Sequence, residues 1–217
     1  MNKIWISLGL IGLLFSCKHK PAKTSRVAVL PYYQEASFSP HWFNEKNVLP
    51  QGFHRLPAFA LQNQKGETIS EKEVAGKILV VDFFFTTCPG ICPQMTHHMG
   101  LIQKEFLKDE DVLLLSHSVM PAHDQVEVLQ KYAQEKGVID HKWHLLTGSR
   151  EEIYDLGRNY YFVEEDLGQK KSLDDFIHTE NFVLVDGKGY LRGIYNGLNE
   201  GDIAQLIADI KTLQKNG

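Results

Sequence analysis

Three cysteines in 217 residues are too few for a scaffold held together by disulfides. The formal net charge is −4 and no basic patch stands out, which excludes a surface built for nucleic-acid phosphates. There is no internal repeat and no low-complexity tract, so a solenoid is excluded. No proline follows Pro121. What is present is an apolar content of 43%, enough for one sizeable core in a single domain with a short extension. The ten histidines are scattered and read mostly as surface residues.

The N-terminus reads as a targeting segment. Lys3 precedes the apolar run Ile4 to Phe15, which is too short to cross a bilayer. The run ends in Leu14-Phe15-Ser16-Cys17 and meets Lys18-His19-Lys20 at once. That ending resembles a bacterial lipobox, with a lipid placed on Cys17 and the signal cut before it. The resemblance implies a signal peptide over 1–17 and a protein anchored to a membrane of the cell envelope, facing the periplasm. An ordinary signal or an uncleaved anchor with an incidental cysteine is the alternative. Residues 18–52, with Pro21, Pro31, Pro40 and Pro50 and little periodicity, read as a tether and an N-terminal extension.

From residue 53 to 217 the pattern is one α/β domain. Residues 56–61 and 68–70 predict two short strands around the turn Gln64-Lys65-Gly66-Glu67. Ile78 to Phe85, continuous but for Asp82, predicts a central strand covered on both faces. Residues 94–107 have helical spacing, with Met95, Met99, Ile102 and Phe106 on one stripe that reads as core; His98 lies off that stripe and reads as solvated. A strand over 112–116 follows, then a helix over 124–136 with Asp124 as its cap. A strand over 143–146 precedes a helix opened by a Ser149/Glu152 capping box and running to Tyr160. Phe162 to Phe176 reads as a long polar loop. A hairpin around Gly187-Lys188-Gly189 joins strands 182–186 and 190–195, and residues 202–213 close the chain as a helix. Alternating strands and helices predict a parallel core with antiparallel edges.

The chemistry is concentrated in Thr87-Cys88-Pro89-Gly90-Ile91-Cys92-Pro93, at the junction between the central strand and the helix. A disulfide across so small a loop restricts the unfolded chain little, so the pair is functional in character. A helix N-terminus favours the thiolate, which is both nucleophile and metal ligand. Two sulfurs select soft ions such as Cu(I) or zinc and need a third ligand; the candidate is His178, just before the strand at 182–186. Asp82 has two readings: a buried proton acceptor for Cys92, or a partly wet strand residue with a local hydrogen-bond partner.

These residues carry a family resemblance. Phe85-Thr86-Thr87-Cys88-Pro89-Gly90-Ile91-Cys92-Pro93, Trp143-His144-Leu145-Leu146-Thr147-Gly148, Lys131-Tyr132-Ala133, His178 and the Asp186-Gly187-Lys188-Gly189 hairpin together resemble the Sco/SenC family. The resemblance implies a thioredoxin-like fold with an N-terminal β-hairpin and a central sheet flanked by helices. It implies one copper per chain, Cu(I) or Cu(II), on Cys88, Cys92 and His178. It also implies a role as a monomeric chaperone for the copper-bearing subunit of cytochrome c oxidase. Two departures stand out: Gly90 replaces an acid between the cysteines, and Met120 replaces the acid that usually precedes Pro121. Val81-Asp82-Phe83 also resembles thioredoxins, which favours the alternative of a thiol-disulfide reductase acting on exported thiol proteins. Against it, the cysteines are spaced Cys-x-x-x-Cys, and His178 stands where thioredoxins carry a cis-proline.

Overall fold

The computed structural model describes residues 24–43, 48–164, 177 and 179–216. Among the described residues seven strands and four helices follow one another as β1 (Ala60–Gln62), β2 (Thr68–Ser70), β3 (Ile78–Phe84), α1 (Cys92–Glu105), β4 (Val112–Ser118), α2 (Val126–Lys136), β5 (Trp143–Leu146), α3 (Arg150–Asp155, continued by a π-helical turn over Leu156–Tyr160), β6 (Asn181–Val185), β7 (Leu191–Asn196) and α4 (Glu200–Asn216). The main sheet has the order β5-β4-β3-β6-β7. β3, β4 and β5 are parallel, while β6 and β7 run antiparallel to their neighbours.

β3 explains the layers. Every one of its seven residues is buried, so both faces must be covered. Val80 and Leu114 face Met95, Met99, Ile102 and the α4 residues Leu206 and Ile210. Leu79, Val81 and Leu115 face Ile153, Tyr154 and Tyr161. The methionine stripe of α1 is therefore core, as its spacing predicts.

The β1–β2 hairpin guards an edge. Gln62 and Thr147 exchange backbone hydrogen bonds at 2.9 and 2.8 Å. The Gln64 side chain donates to the Trp143 carbonyl at 2.9 Å and accepts from the Leu145 N–H at 2.8 Å. The outer edge of β5 is thus paired by a glutamine instead of being left open to another chain.

At the other edge residues 30–33 are bound to the sheet. Tyr33 N–H donates to the Leu191 carbonyl at 3.1 Å. The Arg192 guanidinium donates to the carbonyls of Leu30 and Pro31 and to Asp186, and lies 3.8 Å from the Tyr32 ring centroid. Tyr32, Phe43, Phe53 and Tyr190 stack edge to face around it.

Three local expectations are corrected. Asp124 does not cap α2: Gln125 occupies that position, and the Asp124 carboxylate is buried and turned toward the chain after β3. The capping box is half made, because Ser149 accepts from Glu152 N–H while the Glu152 carboxylate accepts from Ala60 N–H at 2.9 Å. His98 is buried, not solvated; its Nδ1–H donates to the Gly197 carbonyl at 2.6 Å and ties α1 to the turn after β7.

On the α3 side His117 is fully buried, stacked on Phe83 at 5.0 Å, and neither ring nitrogen has a partner among the described residues. Burial holds its pKa down at about 3. The folded state then refuses a proton that the unfolded chain accepts below its ordinary value of 6.5. The associated stability is intact above that pH and is lost as pH falls from 6.5 toward 3. Urea unfolding should show His117→Leu gaining about 2–3 kcal/mol more over the parent at pH 4 than at pH 8. An equal effect at both values would contradict the neutral buried imidazole.

Candidate metal and redox centre

β3 ends at Phe84, and a seven-residue turn carries the chain from Phe85 to Ile91 before α1 begins at Cys92. Pro93 at the start of the helix suits a position whose N–H has no intrahelical acceptor. Cys92 is thus the first helical residue and is 5% exposed, whereas Cys88 lies in the turn and is partly exposed. The two do not share a helix face; they meet because the turn folds back over the helix end. Both thiols are free.

Their environments separate the two sulfurs. Burial by itself would raise the Cys88 pKa, but hydrogen bonds from the Cys92 side chain and the N–H groups of Cys92, Gly90 and Ile91 outweigh it and bring it below the usual thiol value. Cys92 is pushed up to about 12, first by burial, then by its hydrogen bond to Cys88 and the charges of Cys88 and Asp82. Cys88 is the more acidic of the two thiols and Cys92 the one that holds its proton.

Asp82 lies behind them, 2% exposed in the middle of β3. Burial raises its pKa to about 7, against opposing hydrogen bonds from the Ser116 hydroxyl and its own backbone. Ser116 stands opposite it in the β4 register, donates to its carboxylate, and accepts from the Trp143 indole N–H at 2.8 Å. Tyr132, paired with Thr96 at 2.8 Å, is raised to about 12, chiefly by burial and further by the charges of Asp82, Cys92 and Cys88. Asp82 is therefore fully buried with a dedicated partner; the partly wet alternative does not hold.

Cys88, Cys92 and Asp82 are brought into one electrostatically connected cluster. His178 and Cys17 lie outside the described residues. The chain neighbours of His178, Ile177 and Thr179, are both buried. β6 is antiparallel to β3 and starts near the end of β3 from which the cysteine turn departs. Among the described residues no third histidine, cysteine or carboxylate joins the two thiols in a metal-sized group. The donor set itself, two adjoining thiols of unequal acidity, fits a soft cation.

The profile of the SCO1/SenC family matches residues 50–215. This chain belongs to the SCO1/SenC family. The SCO1 protein homolog of Bacillus subtilis is 32% identical over 163 residues, which are 73% of this chain and 82% of that one. Among solved structures, BsSco, a member of the Sco family of cytochrome c oxidase assembly proteins in which a disulfide switch was identified, is 31% identical with a TM-score of 0.63, over 76% of this chain and 95% of that one. A SCO1/SenC family lipoprotein from Bacillus anthracis is 31% identical with a TM-score of 0.62, over 77% and 99%. Bradyrhizobium japonicum ScoI with copper bound is 25% identical with a TM-score of 0.56, over 71% and 96%. The fold is thus the thioredoxin-like one that the motifs imply, β-hairpin included.

Sequence reasoning about this SCO1/SenC chain missed Ser116, and it read Trp143 only as part of the family motif, not as the donor that holds Ser116. Ser116 was legible only through strand register, since it is the polar residue of β4 that falls opposite Asp82.

A carboxyl group with its pKa raised to about 7 destabilises the fold as pH climbs. The penalty is absent below its ordinary value of 3.8, grows between 3.8 and 7, and is complete above 7. Asp82→Asn should stabilise the reduced protein by about 2–4 kcal/mol at pH 8, with the gain vanishing near pH 4. A variant that is less stable at pH 8, or whose effect is independent of pH, would rule out the buried acid.

Proposed function

We propose that this protein is a membrane-tethered copper chaperone that helps assemble a copper centre of cytochrome c oxidase. The observation that carries the reading is the free Cys88–Cys92 pair, two adjoining thiols of unequal acidity, at the head of α1 in a SCO1/SenC chain. Copper-bound B. japonicum ScoI and the role named for BsSco support it. One copper is held by Cys88, Cys92 and His178, as cargo. The soft thiolates favour Cu(I), and the neutral imidazole completes the set. On loading, both sulfurs bind as thiolates; Cys88 is the readier to ionise, and Cys92 holds its proton more tightly and must release it. Asp82, raised to about 7, is the neighbouring group able to take it near neutral pH. Delivery then proceeds by exchange of these ligands for those of the receiving subunit. Met120 and Gly90 leave two positions of the site without the carboxylates the family usually carries there, which favours the monovalent ion.

Cys17 carries the lipid in this reading, with the lipobox-like Leu14-Phe15-Ser16 as support and the B. anthracis lipoprotein as a parallel. No described helix is long and apolar enough to cross a membrane.

The second reading is a thiol-disulfide reductase, favoured by the buried Asp82 behind Cys92 and by the disulfide switch named for BsSco. The Cys88 thiolate attacks a partner disulfide, forms a mixed disulfide and expels one partner thiolate. Cys92 gives its proton to Asp82 and attacks the Cys88 sulfur, which releases the second partner thiolate. Two electrons pass to the partner and Cys88–Cys92 ends as the disulfide, to be reduced again by an external dithiol.

Anaerobic titration of the reduced full-length chain with Cu(I) should give one ion per chain, and His178→Ala should weaken it by at least about tenfold. Binding that ignores His178, or no stoichiometric binding, sinks the copper site. For the second reading, Cys92→Ser should accumulate a mixed disulfide on Cys88; its absence in envelope extracts counts against reductase activity. Cys17→Ser should move the protein from the membrane to the soluble fraction.

A further inference from the structure

The turn from Phe85 to Ile91 belongs to neither β3 nor α1; Cys88 N–H closes it internally on the Phe85 carbonyl at 3.3 Å, and a second tie comes from outside. One residue of it, Thr86, is bound through both its backbone and its side chain to a single group. Its N–H donates to Asp124 Oδ2 at 3.1 Å and its hydroxyl to Asp124 Oδ1 at 2.5 Å. Asp124 has no exposed surface. The same carboxylate accepts from the Ser118 hydroxyl at 2.6 Å and from His123 Nδ1 at 2.8 Å. Four donors from three stretches of chain therefore converge on it, and the two from Thr86 belong to the residue two before Cys88. The platform under Asp124 is itself fixed. Val119 N–H extends the β3–β4 ladder by donating to the Phe84 carbonyl at 2.9 Å, and Asp124 N–H donates to the Met120 carbonyl at 2.9 Å.

A buried carboxylate with this many donors is costly to remove and costly to leave unpaired, so its geometry is strongly determined. Thr86 is held accordingly, and Cys88 projects from a backbone pinned in the arrangement in which both thiols are free. Disulfide formation draws two sulfurs to about 2.05 Å. The two sulfurs, joined here by a hydrogen bond, have to close to that length, and how readily they do so depends on how the backbone of the turn presents Cys88 to Cys92 at the head of α1.

We infer that Asp124 is a positioning residue for the thiol pair: through Thr86 it holds the turn in its dithiol geometry and thereby biases the Cys88–Cys92 equilibrium toward the reduced, ligand-ready form. This rests on Cys88 and Cys92 being the working pair of the preceding section. Loss of the clasp frees the turn and favours the disulfide.

The test is the equilibrium of the full-length protein in glutathione buffers, with thiol content read by alkylation. Thr86→Val keeps the shape of the side chain and loses its hydroxyl; Asp124→Asn loses the charge. Both should shift the equilibrium toward disulfide by about tenfold, equivalent to about 30 mV. Thr86→Ser, which keeps the hydroxyl, should stay within about twofold of the parent. So should Ser118→Ala, which removes a donor to the same carboxylate without touching the cysteine turn. Unchanged equilibria in folded Thr86→Val overturn the inference while leaving the thiol reading intact. A shift in Ser118→Ala as large as in Thr86→Val also overturns it, since general loosening would then suffice. Should Asp124→Asn fail to fold, Thr86→Val decides alone. A parent that forms no Cys88–Cys92 disulfide at any glutathione ratio removes the pair itself, and the inference with it.

Discussion

β3 is paired along both edges and buried on both faces, and the rest of the molecule follows from that constraint. A strand so placed needs helices on either side, which gives two cores in place of one. It has to deliver the chain to the surface at its C-terminal end, where parallel β3 and β4 leave an opening. The cysteine turn and the start of α1 fill that opening. The thiols thus combine a rigid floor, a helix N-terminus and access to solvent on one side.

The same constraint makes Asp82 informative. A carboxyl group in the centre of a strand with no wet face is destabilising, and one serine hydroxyl offsets only part of its desolvation. Packing would be served better by valine or leucine. The acid stays where it raises the acidity gap between Cys88 and Cys92 and where its proton exchanges near pH 7. Stability has been given up at the one place in β3 that lies behind the thiols, a pattern associated with functional sites.

Much of this was legible in the sequence because it is local. The apolar run from Ile78 marks β3, the methionine stripe marks the inner face of α1, and the Gly187-Lys188-Gly189 turn marks the β6–β7 hairpin. The misreadings share one cause: a side chain's local pattern does not reveal a distant partner. Asp124 has the look of a helix cap, yet besides Ser118 and His123 it accepts twice from Thr86, 38 residues earlier. Glu152 is recruited by Ala60, and His98 by a carbonyl 99 residues on. Arg192 gathers the segment around Leu30 across 162 residues, which no periodicity could indicate. At the candidate site the cysteines and Asp82 were legible as residue types and Trp143 as part of a family motif, whereas Ser116 became meaningful only once strand register set it opposite Asp82 and near Trp143.

The central claim is that this fold serves to hold one copper on two thiolates and an imidazole. X-ray absorption at the copper edge on the Cu(I)-loaded, full-length protein tests it most directly. The account predicts two sulfur scatterers and one nitrogen scatterer, with the nitrogen lost in His178→Ala. A sulfur-only shell in the parent, or a nitrogen that survives that substitution, would contradict it.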